Sequence, residues 1–399
     1  MIEITDSISK IMSKDSQNGY SILGYIDTNL EFTDIMIEDF LNVIINKFPI
    51  MKQYIIEKDK NIFLEYDTEF NIKNHYKMIY DTLNNFDTYT DTILNLQFET
   101  KSRWFLHFIT DKDSKKYRLY FKIDHSYADG YKIIEMLMSP LKLTDTSEIF
   151  KHRTTNILDS LYYIIFGTIT LFISFFKILI ESLLLPYRNS EPRKTEHVLC
   201  KPFKLSEIKH ITQQNNITVN DFLYSLLIKT DYLHTNTKRD IVISSCINIS
   251  GSNNLNNMAP VINKIRNTLE NKELFSNIHN IFDSYKYSLY IPIFSFIIQY
   301  ILPLLPFTLQ TYAYDSLIRR SDYSYSNMIG PIHKDIENIH FLTLAKDKEI
   351  VFNIISSNDN INIICSFKEG VIKDKALFEN SIYEAYKSLT AEYLAVHSV

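Results

Sequence analysis

Tyr117-Arg118-Leu119-Tyr120-Phe121-Lys122-Ile123-Asp124-His125-Ser126-Tyr127-Ala128-Asp129-Gly130 is the stretch that decides how the chain is read. Side chains of a strand alternate between faces. Leu119, Phe121, Ile123 and His125 therefore share one face, and Arg118, Tyr120, Lys122 and Asp124 the other. The strand carries His125 off an apolar face to its own end, just before a turn at Asp129-Gly130. A helix, Tyr131 to Leu137, follows. An imidazole titrates near pH ~6.5 and is largely neutral at physiological pH, and an apolar wall keeps it so. Such a histidine suits general-base work. Asp129, across the tight turn, would fix the loop by pairing with a cation elsewhere.

The H-x-x-x-D spacing alone is weak, because the chain holds other copies. His279 to Asp283 lies in helix-like sequence and reads as an i,i+4 surface pair. His107 to Asp111 lies in a strand running into a polar turn, Asp111-Lys112-Asp113-Ser114. Neither is followed by glycine. The bland reading of His125 is a satisfied histidine in a strand-to-helix turn. No G-x-S-x-G elbow occurs, so nothing supports a covalent acyl-enzyme.

Around this motif the pattern alternates helices and strands. Ile35–Phe48 reads as an amphipathic helix and Asn61–Tyr66 as a strand. Trp104–Thr110 and Tyr117–Asp124 read as two more. After residue 205, Thr218–Lys229 reads as a helix, Asp240–Ile249 as a strand, Glu349–Ile355 with Asn360–Phe367 as a hairpin, and Lys373–Leu394 as a closing helix. The 399 residues suit two lobes: 1–150, and 205–399, joined by 151–204. Residues 191–204 read as the polar linker into the second lobe.

Two segments are unusually apolar. Leu161 to Phe176 carries no charge, and the run continues past Lys177 and Glu181 to Leu185-Pro186. Lys151, Arg153, Arg188, Arg193 and Lys194 flank it. A span needs roughly 20 apolar residues, so a span, an interfacial or re-entrant helix and a buried core helix all remain open. The basic flanks favour membrane contact. Tyr287 to Tyr314 also lacks charge, but Pro292, Pro303 and Pro306 break any single span. It reads as short helices lining an apolar pocket or the core, or lying on a bilayer.

Composition excludes several classes. The net charge of −5 gives no basic excess for nucleic acid. With 7 glycines there is no phosphate-cradling loop. Cys200, Cys246 and Cys365 are too far apart for a zinc motif, and so sparse a set fits a reducing, intracellular compartment. The acidic start, Met1 to Asp6, has no apolar core of a secretory signal. No metal and no cofactor is implied.

Further segments then give the chain a likeness. It resembles the wax ester synthase/diacylglycerol acyltransferase family, within the H-x-x-x-D-G acyltransferases. Phe48-Pro49-Ile50-Met51-Lys52-Gln53 is similar to the family's Pro-containing stretch, and Phe70-Asn71-Ile72-Lys73-Asn74-His75 to its F-D-x-x-x-H segment. Trp104 sits where the family has P-L-W. Thr218-Val219-Asn220-Asp221 matches T-V-N-D. Asn256 to Val261 resembles a degenerate G-N…P-L segment. Ser326-Asn327-Met328-Ile329-Gly330-Pro331 is similar to the S-N-V-P-G-P turn. There are departures. Ser102-Arg103 replaces Pro-Leu, and Asp124 stands where the family has a first histidine. By alternation Asp124 faces away from His125.

The resemblance implies an α/β (α+β), two-lobed fold like that of chloramphenicol acetyltransferase and other CoA-dependent acyltransferases, with a central channel. It implies acyl-CoA as a substrate and a long-chain alcohol or diacylglycerol as acceptor, giving a wax ester or triacylglycerol at a membrane or lipid-droplet surface. His125 would be the base and Asp129 would organise its loop. Gly130, Asn220, Asp221, Ser326, Asn327, Gly330 and Pro331 would form the motif and channel. Asn220 would lie near the oxyanion, although an Asn or Asp at a helix start is also an ordinary cap. A short-chain, sterol or polyketide alcohol is an alternative acceptor. A catalytically inactive lipid-binding protein of the same fold is the alternative from another class.

Overall fold

The computed structural model describes the chain except residues 1, 5–6, 14–19, 59–60, 82–85, 112–115, 141–161, 185–192, 249–257, 269, 345–349 and 395–399. The turn at 112–114, Lys151, Arg153 and Arg188, Asn256-Asn257 and the ends of the first apolar run lie outside the described residues.

The strands are β1 (Ile2–Glu3), β2 (Ser21–Thr28), β3 (Gln53–Lys58), β4 (Asn61–Tyr66), β5 (Tyr76–Asp81), β6 (Trp104–Asp111) and β7 (Lys116–Asp124) in the first half. The second half adds β8 (Thr195–Leu199), β9 (Phe203–Lys204), β10 (Asp240–Asn248), β11 (Met258–Arg266), β12 (Tyr323–Ile329), β13 (Ile336–Thr343), β14 (Ile350–Ser357) and β15 (Asn360–Lys368). The helices are α1 (Ser7–Ser13), α2 (Asp34–Lys47), α3 (Phe86–Asn95), α4 (Gly130–Met138), α5 (Thr168–Leu183), α6 (Leu205–Gln214), α7 (Val219–Thr235), α8 (Asn271–Tyr287), α9 (Tyr290–Phe296), α10 (Phe307–Arg320) and α11 (Lys375–Leu394).

Two mixed sheets result. One runs β13-β2-β7-β6-β5, and the other β11-β10-β12-β14-β15-β8, with β9 also on β15. A small β1-β4-β3 sheet sits beside the first. The fold is the two-lobed α/β arrangement expected, with helices packed on the sheets. Its sheets do not follow the chain division, because β13 comes from the second half and pairs antiparallel with β2 of the first. The stretch read as linker is also not one: Thr195–Leu199 pairs with β15 and extends the second sheet. The 350–357 and 360–368 hairpin and the closing helix occur as read, and Ser326–Ile329 is the end of a strand rather than a turn.

Three upstream segments of the resemblance meet in one cluster. The His75 ring stacks 4.2 Å from Trp104 and 4.9 Å from Phe70. Its Nδ1 lies 2.9 Å from the Trp104 carbonyl, and the Trp104 indole donates to the Met51 carbonyl at 2.7 Å. Burial lowers the His75 pKa, so the ring packs as a neutral plate. The cluster braces β6, the neighbour of the histidine-bearing strand.

Candidate active site

β7 lies between β2 and β6. One face, Leu119, Phe121 and Ile123, enters the first core with Trp104 and Ile133. The opposite face is polar yet also buried. Arg118 holds the Asp27 carboxylate with two donors and lies over the Tyr25 ring. Lys122, fully buried, donates to the carbonyls of Leu94 (2.8 Å) and Leu96 (2.6 Å) at the end of α3. Those carbonyls have no partner within the helix. Burial, with Lys368 nearby, lowers the Lys122 pKa to about 7. Both faces being fixed, the strand end is held in place.

The loop that carries His125 is pinned at its first two residues. The His125 N–H donates to the Tyr20 carbonyl at 2.6 Å, and the Asp124 N–H to the Arg103 carbonyl at 2.9 Å. The Asp124 carboxylate accepts from Arg103 Nη1 at 2.9 Å, and from the backbone N–H and hydroxyl of Ser126 at 2.9 and 2.6 Å. Asp124 thus anchors the loop by an ion pair with Arg103. Asp129 is the N-cap of α4: its carboxylate accepts from the Lys132 N–H at 2.9 Å. Sequence reasoning missed Arg103. The signal was present, since Arg103 and Asp124 are both departures from the pattern of the resemblance and they meet each other.

His125, Asp129 and Gly130 line a cavity of about 210 Å³, and Ser326 and Asn327 of β12 line it from the second sheet. Ile22, Phe341, Leu317 and Val351 give it apolar walls. Gly130 sits where the lobes touch, because a β-carbon there would run into Met328 Sδ of β12. The Ser244 and Ser324 hydroxyls, 2.6 Å apart, form part of the wall.

The other motif residues stand behind this wall. Asn220 Oδ1 accepts from Asn327 Nδ2 at 2.9 Å and from the Tyr325 hydroxyl at 3.0 Å. Asn220 therefore holds a cavity residue, and is not itself on the wall. Asp221 is buried in a capping box with Thr218 at the start of α7. Its Oδ2 accepts from the Thr218 N–H and lies 2.8 Å from His279 Nδ1. His279 is accordingly not just half of a surface pair with Asp283. Its Nε2 does lie 3.4 Å from that carboxylate, but its other nitrogen locks α8 to α7. Gly330 closes β12 against β14: its N–H donates to the Ser356 carbonyl at 2.6 Å, and a β-carbon would lie 2.7 Å from the same oxygen. The Pro331 carbonyl accepts from the Ser357 hydroxyl at 2.7 Å. The remaining H-x-x-x-D copy is structural. His107 sits in β6 with Nδ1 3.0 Å from the Tyr89 hydroxyl, and burial lowers its pKa to about 4.

Comparison with known proteins fits this geometry. Residues 256–390 match the family model of the WS/DGAT C-terminal domain. No curated protein matches the sequence. Among solved structures, the wax ester synthase/diacylglycerol acyltransferase of Marinobacter aquaeolei VT8 superposes with a TM-score of 0.64 at 14% identity, over 98% of this chain and 99% of that one. The trichothecene 15-O-acetyltransferase of Fusarium sporotrichioides gives 0.64 at 10%, over 97% and 95%. The first condensation domain of the calcium-dependent antibiotic synthetase gives 0.65 at 8%, over 97% of each. These likenesses establish the two-lobed fold over the whole chain. Over residues 256–390 the chain is thus similar to the WS/DGAT C-terminal domain.

Proposed function

We propose that this chain is an O-acyltransferase that moves a fatty acyl group from acyl-CoA to a long-chain alcohol or diacylglycerol, with His125 as general base. The observation that carries the reading is the position of His125: at the end of a rigid strand, in a mostly apolar cavity lined by both lobes. The imidazole takes the acceptor hydroxyl's proton as the oxygen attacks the thioester carbonyl. The C–O bond forms, the tetrahedral intermediate collapses, the C–S bond breaks, and the imidazolium returns the proton to the CoA thiolate. Asp129 acts through the loop by capping α4. Asn220 acts through Asn327.

A lipid acceptor draws support from the apolar walls and from Ile164–Leu183, 20 residues of mean hydropathy 2.0. Work at a membrane or lipid-droplet surface, inside the cell, belongs to the same reading, with 161–185 as the anchor. A second acceptor class is favoured by one observation. The trichothecene acetyltransferase superposes with the same TM-score as the wax ester synthase, at lower identity.

The test supplies labelled palmitoyl-CoA with hexadecanol, diacylglycerol or a small alcohol, to wild type and to His125→Ala. General-base catalysis contributes about 10²–10⁴-fold, and the variant should lose turnover by that factor. Equal ester formation by both would remove His125 as base. Absence of ester from every acceptor would favour the inactive lipid-binding reading.

A further inference from the structure

α5 is apolar on two opposite sides. Leu171, Phe175, Ile178 and Ser182 form one stripe and are buried. Ile178 packs with Val242 of β10 and Ile262 of β11, and with Leu317 of α10. The other stripe, Ile169, Ile173, Phe176 and Ile180, points outward, with Ile173 64% and Phe176 50% exposed. Both stripes follow the helical three-four spacing. A helix fixed to its own lobe along three turns is not free to be ringed by lipid, so α5 cannot cross a bilayer without tearing that packing.

The second apolar segment lies beside it. Phe172 and Phe175 pack against Tyr290 and Phe294 of α9, with ring centroids 4.8 Å (Phe172–Tyr290) and 4.9 Å (Phe175–Phe294) apart. From the end of α9 onward the segment exposes a stripe of its own: Phe296, Tyr300 (62%) and Leu304 (81%). The two segments thus present bare apolar side chains on adjoining elements. Soluble chains rarely leave so large a patch uncovered.

We propose that these two segments form one docking surface on which the protein lies at a lipid bilayer, with α5 parallel to the membrane plane. Three observations select a bilayer. First, the charge is right for anionic headgroups. Lys177 is exposed on this face, whereas Glu181 is paired with Lys264 and Arg320 at 3.5 and 3.7 Å. Second, Tyr300 and Tyr312 are exposed in the second segment, the residue type that settles at a headgroup boundary. Third, the helix that bears the face is packed on the wall of the site. Leu317 and Ile262, which back α5 on its buried side, also line the cavity that holds His125. Only the link from this surface to an apolar acceptor rests on the acyltransferase reading.

The test is flotation of the full chain with phosphatidylcholine vesicles doped with phosphatidylglycerol. Ile173→Glu/Phe176→Glu/Tyr300→Glu should lower partitioning by roughly a hundredfold or more, since each site removes apolar area from the lipid contact. Ile35→Glu, at an exposed site on α2, should float like wild type. Circular dichroism melting establishes that the triple variant is folded. Unchanged flotation of the folded triple variant would overturn the proposal. So would a wild type that does not float but is dimeric by light scattering, with a monomeric triple variant. That result would make the face an interface between two copies. Flotation needs no turnover, so intact flotation without ester formation would sink only the catalytic reading.

Discussion

α7 and α5 invert the usual rule of inside and outside. α7 buries Asp221 and Asp231 in the core of the second lobe. α5, far more apolar, leaves half its circumference bare. The difference lies in partners. Asp231 accepts from Asn267 at 2.7 Å, from the Tyr323 hydroxyl at 2.9 Å, and from Arg239. α7 also opens with a capping box and ends at Asn236, which adopts the left-handed conformation (φ 49°). α5 opens at Gly167 with no side-chain cap, behind a wide turn at Tyr163–Gly167. A charge is tolerated inside when every lone pair is met. An apolar face stays outside when no described residue of the chain covers it.

Removing a partner inside should therefore cost most. Asp231→Ala takes one of two acceptors from the Asn267 amide and removes the partner of the Tyr323 hydroxyl and of one side of Arg239. Breaking a buried ionic network of this kind costs about 5 kcal/mol at the upper end. Urea unfolding should show the midpoint falling with the slope unchanged. A loss under about 1 kcal/mol would mean that the network is dispensable, and the inside half of the comparison would fail.

Arg103→Leu is the same experiment at the loop that carries His125. It leaves Asp124 buried with only Ser126 to satisfy it, at a cost of about 3 kcal/mol. Arg103→Leu/Asp124→His removes both partners of the ion pair together and should recover most of the stability. A double variant no better than the single one would show that the two residues are not coupled.

The legible parts of this molecule were local. The alternation of β7, the Asp129-Gly130 turn and the Thr218/Asp221 helix start are written in residues a few positions apart. The periodicity of α2, α7 and α11 is equally close to hand. What escaped was non-local. β13 pairs with β2 some three hundred residues away, and no pattern inside 336–343 names that partner. The 195–199 strand looked like linker because its short polar sequence gains its place only from β15. His279 read as a surface pair because Asp221, its closer partner, belongs to another helix. At the site, the motif located His125 and its loop, whereas the division of the motif residues between wall and support depends on packing. Asn220 and Asn327 look alike in sequence, yet only Asn327 faces the cavity. The long apolar run was plain in sequence, and its two-sided use was not, because periodicity cannot say which stripe the lobe will cover.

The smallest effect falls on the outside. Ile173→Glu replaces an apolar side chain that is 64% exposed, so little packing is lost. Glutamate is as good a helix former as isoleucine or better. The change in unfolding free energy should stay within about 0.5 kcal/mol, as for an ordinary surface site. Thermal melting without lipid checks this directly. A larger loss would mean that something covers Ile173 in solution, either a second copy or another part of the chain. Melting at several protein concentrations separates these, because only a second copy makes the loss depend on concentration. A null result in water, beside lost flotation on vesicles, is the combination expected of a surface whose partner is lipid.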